Sequence, residues 1–125
     1  MTIAHGSAIR TTIADAVVDA VDNGSSAGVL KFYTAGFGTL LCTITFSDPA
    51  FGAASGGSAT MLSGPKSGTC SAGGTVAKFR IEDSNGVSII EGDVGTSGQD
   101  INLSSVTVNV NDVIQITSLT YTAPT

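Results

Sequence analysis

The two cysteines and the single histidine are the residues best suited to catalysis or metal binding. Cysteine thiolates and histidine nitrogens bind zinc, and a Cys–His pair can act as a nucleophile and its base. The chain has neither a CxxC nor an HxxxH spacing, and His5 lies far in sequence from both Cys42 and Cys70. We therefore expect no metal site, no cofactor and no catalytic cysteine.

Cys42 belongs to a segment of alternating apolar residues, in which it shares a face with Leu40, Ile44 and Phe46. Free thiols are among the most buried residue types. The N-terminus shows no basic segment followed by an apolar core, so no secretory signal is visible and a reducing compartment is expected. We predict that Cys42 is a buried structural thiol. Cys70 lies in a Gly/Ser-rich segment, and whether it pairs with Cys42 stays open.

The segment Asp83-Ser84-Asn85-Gly86 resembles the middle of a calcium loop. Such a loop also needs further oxygen ligands and a closing glutamate. The next glutamate, Glu91, falls in a segment that already reads as a strand. An Asn-Gly pair readily adopts positive φ, so we predict a hairpin turn at 83–86 instead.

Glu82 and Glu91 lie on opposite arms of that hairpin and could form a carboxylate pair. General acid–base work would require them to share a cleft that separates their pKa values. Glu82 instead alternates with Lys78 and Arg80 along the strand. We predict that this is a solvated strand face.

The remaining patterns do not indicate catalysis. The glycine-rich segments at 52–57 and 64–74 do not match the phosphate-binding pattern GxxxxGK followed by Ser or Thr. Serine and threonine nucleophiles need a base, and the chain offers a single histidine. We predict that the protein is not an enzyme.

The composition excludes several classes of protein. The 125 residues are 42% hydrophobic but only 12% charged, and the net charge is −5. Nucleic-acid binding favours a basic surface, whereas disorder requires low hydrophobicity and high charge. No apolar run is long enough to span a membrane. We expect a globular protein that contacts neither nucleic acid nor membrane, with 16 Thr and 15 Ser supplying its polarity.

Residues 7–22 are predicted to form the single helix. Ser7 is a suitable N-cap, and Asn23-Gly24 is a suitable end. The apolar stripe comprises Ile9, Ile13, Val17 and Val21, with Ala16 and Ala20 beside it. Such a stripe packs either on the protein's own sheet or on a partner subunit.

After residue 26 the hydrophobic pattern changes to period two, which predicts strands. We predict strands at 29–33, 38–46, 58–62, 75–82, 87–93, 101–103, 106–110 and 113–122, with loops at 51–57 and 63–74. Short strands at regular spacing favour a mainly β fold. The prediction is a two-sheet antiparallel sandwich of jelly-roll or Greek-key type, preceded by one N-terminal α-helix, in a single domain over 1–125.

Five phenylalanines divide into core candidates and possible contact residues. Phe32, Phe46 and Phe79 lie on strand faces and should be core. Phe37 and Phe51 lie in glycine and turn settings, where each either covers the end of the sandwich or contacts a partner. The candidate protein-interaction residues are therefore Ile9, Ile13, Val17, Val21, Phe37 and Phe51.

Several segments resemble a family of small proteins of tailed bacteriophages and prophages that are encoded among the virion structural genes. The similarity covers an Ala/Val/Asp-rich helix, GVLKFYT at 28–34, LLCTITFSDPAFGAA at 40–54, FRIEDSNGVSIIEGDVG at 79–95 and VIQITSLTYT at 113–122. Some small β-rich phage proteins of this size resemble capsid cement, or decoration, proteins.

The resemblance implies a location and partners. A cement protein lies on the exterior of the capsid, is synthesised in the bacterial host cytoplasm, binds the major capsid protein and self-associates as a dimer or trimer. The family has no catalytic motif. The alternatives are a tail, neck or fibre component, and a jelly-roll module that binds carbohydrate or the host surface.

Overall fold

A computed structural model describes residues 4–123 of the chain. Within this part, one helix precedes eleven short strands. Their bounds are α1 Ser7–Val21, β1 Val29–Tyr33, β2 Leu40–Thr45, β3 Ser58–Thr60, β4 Lys66–Thr69, β5 Gly74–Thr75, β6 Lys78–Glu82, β7 Ser88–Gly95, β8 Ile101–Asn102, β9 Thr107–Val108, β10 Val113–Ile116 and β11 Thr120–Thr122. The prediction of a mainly β chain with one N-terminal helix is confirmed.

Helix α1 has nearly the predicted bounds but a different N-cap. Gly6 occupies the cap position in an extended conformation, and no side chain among residues 4–123 caps the first turn. Ser7 is the first helical residue, and its carbonyl oxygen accepts a bond from the Thr11 hydroxyl at 3.1 Å. The chain leaves the helix through Gly24, whose φ of 96° lies in the left-handed region. The predicted Asn-Gly ending is thus confirmed.

The buried face of α1 consists of Ala14, Val18 and Val21. This set lies beside the predicted stripe and shares only Val21 with it. The helix is therefore rotated about its axis relative to the prediction, and its widest apolar stripe is not the side that enters the core.

The main sheet has five strands in the order β2-β1-β6-β7-β8. Its first four strands are antiparallel, and β1 pairs with β6 from Val29 opposite Glu82 to Tyr33 opposite Lys78. The last pair, β7 with β8, is parallel, which the all-antiparallel prediction missed. The loop at 96–100 returns the chain to the end of β7 so that β8 runs beside it in the same direction, and the Leu103 N–H donates to the Gly95 carbonyl oxygen at 2.8 Å.

The other strands form three two-stranded sheets: β10 with β4, β11 with β3 and β5 with β9. The predicted loop at 63–74 is wrong, because it contains β4 and the start of β5. The predicted strand at 113–122 is divided into β10 and β11. The architecture is thus one curled five-stranded sheet with small hairpin sheets.

Strand β4 lies beside β2 because Gly68 has no side chain. A Cβ atom at Gly68 would clash with the Thr43 carbonyl oxygen of β2. The sequence of β4 has no apolar alternation, so its pairing depends on this close approach and on its neighbours.

The core runs from helix α1 through the concave side of the main sheet to the small sheets. Its largest fully buried side chains include Phe32, Leu30, Leu41 and Ile44. The predicted core positions of Phe32, Phe46 and Phe79 are confirmed. No helix in residues 4–123 is both long enough and apolar enough to cross a lipid bilayer.

Candidate interaction surfaces

The two cysteines form a disulfide between β2 and the residue that follows β4. Cys42 and Cys70 face each other as an antiparallel bridge, and both are buried. Burial of Cys42 was predicted correctly, but its assignment as a free thiol was wrong. A disulfide sulfur is not a thiolate nucleophile. His5 lies at the surface, and residues 4–123 contain no group of three or more His, Cys, Asp or Glu residues placed to hold a metal ion.

The predicted hairpin turn after β6 is confirmed. The carboxylate of Asp83 accepts bonds from the N–H groups of Asn85 and Val87, both at 2.9 Å. Gly86 adopts a φ of 82°, as the turn requires. Because Asp83 is buried and its carboxylate bonds the turn itself, its role here is structural.

Glu82 is not the solvated residue that strand alternation predicted. Its residue exposure is 6%, and its carboxylate forms an ion pair with Lys31 of the adjacent β1 at 2.9 Å. The β6–β7 register shifts between Ile81 and Glu82. This irregularity ends the simple alternation at the last residue of β6.

The outward face of the main sheet carries two further ion pairs. Lys78 pairs with Asp93, and Arg80 pairs with Glu91 at 2.6 Å. The hydrogen bond to Glu91 raises the pKa of Arg80 above its ordinary value, and burial of the guanidinium acts in the opposite direction. Glu91 is therefore bound to a cation across the hairpin and does not form a carboxylate pair with Glu82.

Two aromatic rings complete this face. The Arg80 guanidinium carbon lies 4.5 Å from the ring centre of Phe37 and 5.4 Å from that of Tyr33. The rings meet edge to face at 5.5 Å. Phe37 reaches this position from a tight turn at Ala35–Phe37, with its own φ at 56°. We call Tyr33, Phe37 and Arg80, with their ion-paired neighbours, the Arg80 face; its charges are paired and its centre is aromatic.

The second surface lies on helix α1. Ile9 is 55% exposed, Ile13 and Val17 are half-buried, and Ala16 is exposed. We call these four residues the helix strip. Its members lie on the side of α1 next to the buried face.

Two of the predicted interaction residues are not available to a partner. Val21 is fully buried, and Phe51 is packed in the core against Phe46, with ring centres 5.7 Å apart. Val21 lies on the packed side because the helix is rotated. Phe51 is held by a bridge to Met61. The predicted set is corrected accordingly: Ile9, Ile13, Val17 and Phe37 remain at least partly accessible.

The rotation of the helix is set by three of its polar side chains, which accept hydrogen bonds from the segment at 50–57. Backbone N–H groups of Ala50, Ala54 and Gly57 donate to Asp22, Asp15 and Thr11, at 2.8, 2.7 and 3.0 Å. Acidic residues late in a helix oppose its dipole. That unfavourable placement was the available signal that Asp22 has a specific partner.

These surfaces contain exposed apolar, aromatic and paired charged groups, which are suited to protein contacts. A scan against protein-family models, a search of curated proteins and a search of solved structures found no match to this chain.

Proposed function

We propose that the protein is a structural component of a tailed-bacteriophage virion, and specifically a capsid cement protein that binds the outside of the head where capsid subunits meet. The observation that carries this proposal is the helix strip. It presents Ile9, Ile13 and Val17 on a helix that three backbone-to-side-chain bonds fix in place. A rigid apolar strip loses little conformational entropy on binding.

The distribution of charge supports an assembly role. The ion pairs of the Arg80 face occupy three of the five cationic residues of the chain. The net charge of −5 suits a position outside the shell, away from packaged DNA. Threonines on outward strand positions, such as Thr43 and Thr45, add neutral hydrogen-bonding surface.

The proposed mechanism of capsid stabilisation couples binding of the cement protein to the expansion of the capsid. A protein that binds only the expanded capsid lowers the free energy of that state by mass action. A symmetric shell offers many equivalent junctions, so a modest free energy at each one adds up over the particle. Self-association as a dimer or trimer would let one assembly bridge neighbouring copies of the major capsid protein.

Two alternatives lead to different observations. A tail, neck or fibre component would use the same surfaces but would lie elsewhere in the particle. A carbohydrate-binding module would use an aromatic platform, for which Tyr33 is the outward-facing tyrosine of the Arg80 face. We also propose that the assembled protein has a complete jelly-roll or Greek-key sandwich, which an experimental structure of the assembled form would test.

The test compares two exposed apolar residues on particles that lack the native protein. Ile9→Glu should leave the melting temperature of the isolated protein unchanged but reduce its occupancy on heads. The matched control is Val87→Glu, because Val87 is 53% exposed in the hairpin turn, outside the helix strip. Occupancy is measured by cryo-electron microscopy, and DNA release by heating or chelation.

We expect particles with Ile9→Glu to release DNA as readily as particles without the protein. Density confined to the tail would contradict the cement assignment. Equal occupancy of both variants would contradict the role of the helix strip. Binding to a glycan array that Tyr33→Ala abolishes would favour the carbohydrate-binding alternative.

A further inference from the structure

A continuous groove follows the seam where the curled sheet does not close on the small sheets. It consists of three adjoining cavities of about 320, 750 and 290 Å³. The first two cavities share Asp100, Leu119 and Thr120, and the last two share Leu103 and Val113 among others. One wall is formed by β7, β8 and the segment after β8, and the other by β10 and β11. We call this feature the seam groove.

Along the β11 wall, two residues present backbone groups to the groove that have no partner within residues 4–123. The Leu119 carbonyl oxygen and the Ala123 N–H both bond toward the β3 side, at 2.8 and 2.9 Å from their partners. Backbone groups of an antiparallel strand alternate between its two edges. The N–H and C=O groups of Thr120 and Thr122 therefore point away from β3, and both residues line the groove.

The β7 wall has the same property. The Val94 N–H bonds toward β6, to Ala77, whereas the Asp93 N–H points to the opposite side and donates to the Asp100 carboxylate at 3.0 Å. By the same alternation, the N–H and C=O groups of Glu91 point away from β6. In the part of the chain that the structure describes, two strand edges with free donors and acceptors thus face one groove.

The side chains of the groove restrict its occupant. At one end the floor is apolar and includes Phe51, Phe79 and Ile81. The ionisable groups at this end, apart from Tyr121, are the carboxylates of Glu91 and Asp100, and Glu91 is already paired with Arg80. Asp100 is left with a backbone donor as its partner. The groove therefore favours an apolar side chain next to a cationic one.

We propose that the seam groove binds an extended segment of a partner protein as an added β-strand. The free edges would bond its backbone, the floor would receive an aliphatic side chain, and Asp100 would pair with a lysine or arginine. The wall at 113–122 consists of two strand edges, β10 and β11, which suit an extended polypeptide better than a small ligand. This is strand addition at an open sheet edge. The proposal does not depend on the particle to which the protein belongs.

The test uses the full chain and a set of seven-residue peptides of the pattern Lys-Thr-X-Thr-X-Thr-Lys, where X is Val, Ile or Leu. Binding is measured by NMR titration and amide hydrogen exchange. We expect the amide protons of Glu91, Thr120 and Thr122 to gain protection when the peptide binds. Peptides with Glu in place of both Lys residues should bind about fivefold more weakly, and this difference should disappear in Asp100→Asn.

A backbone variant separates strand addition from ordinary surface binding. Thr122→Pro removes an N–H that faces the groove and should weaken binding about tenfold, whereas Thr122→Ala keeps that N–H and should bind like the native chain. Melting curves test whether both variants are folded. If Thr122→Pro is unfolded, the protection pattern of the native chain decides between strand addition and ordinary surface binding.

Three outcomes would overturn the proposal. The first is that no peptide of the set binds at millimolar concentration. The second is that protection appears away from the groove. The third is that the chain alone self-associates through the groove, with protection of the same amides rising with protein concentration, because the occupant would then be a second copy.

Discussion

Loss of the Cys42–Cys70 disulfide should lower the stability of the folded protein substantially. The bond closes a loop with a sequence separation of 28 residues. In the chain-entropy account, a loop of this length restricts the unfolded chain enough to stabilise the fold by about 3.6 kcal/mol. With the unfolding entropy usual for a chain of this length, that free energy corresponds to a fall in melting temperature of about 14 °C.

The assay compares thermal unfolding of the oxidised protein, the protein reduced by a thiol reagent and the double variant Cys42→Ala/Cys70→Ala. Reduction keeps every side chain, so it measures loop closure with little change in packing. The double variant also removes two buried sulfur atoms and should therefore melt a few degrees below the reduced protein. Mass spectrometry after alkylation counts the free thiols in each sample.

The reasoning would be refuted if the oxidised and reduced proteins melted within 2 °C of each other. It would also be refuted if alkylation of the unfolded, untreated protein found two free thiols. A melting difference that appears in the double variant but not on reduction would assign the effect to packing and not to the closed loop.

Three further substitutions test the contacts that set the fold, each by chemical denaturation. Asp22→Ala should lower the free energy of unfolding by about 2 kcal/mol because the buried Ala50 N–H loses its acceptor. The exposed control Asp19→Ala should change it by less than ~0.5 kcal/mol. Equal effects of the two variants would contradict the contact between Asp22 and Ala50. Gly68→Ala should lower the free energy of unfolding by at least ~2 kcal/mol because the new Cβ clashes with β2. In the control Gly52→Ala, the new Cβ meets only ordinary contacts at 3.5 Å. Similar losses of stability in both variants would show that β4 does not need its close approach to β2. Lys31→Met should lower the free energy of unfolding by about 2 kcal/mol because Glu82 is left buried and unpaired. Adding Glu82→Gln should recover most of the lost stability. No recovery would mean that Lys31 stabilises the fold through packing.

Elements whose pattern is local were predicted well. Strand β1 has the predicted bounds, and the turn at 83–86 follows from its Asp and Asn-Gly residues. In both cases the residues that determine the structure lie within a few positions of one another. Alternation and turn chemistry are sufficient there, since little depends on distant parts of the chain.

Elements that depend on distant partners were missed. Strand β4 has the sequence KSGT, which carries no strand pattern, and it is a strand because it pairs with β10 and packs closely against β2. The cysteine pairing has the same origin. Cys70 follows β4 directly, so the predicted loop at 63–74 gives no position for Cys70 opposite Cys42.

The accessible helix strip follows from the same kind of long-range contact. The hydrophobic stripe shows which side of the helix is most apolar. The side that packs inward is fixed instead by the hydrogen bonds that Asp15 and Asp22 accept from the segment at 50–57. The two sides differ, and the difference leaves Ile9 at the surface. The two alternatives for the helix, packing on its own sheet or on a partner, are therefore compatible: Ala14, Val18 and Val21 serve the first, and the helix strip is free to serve the second.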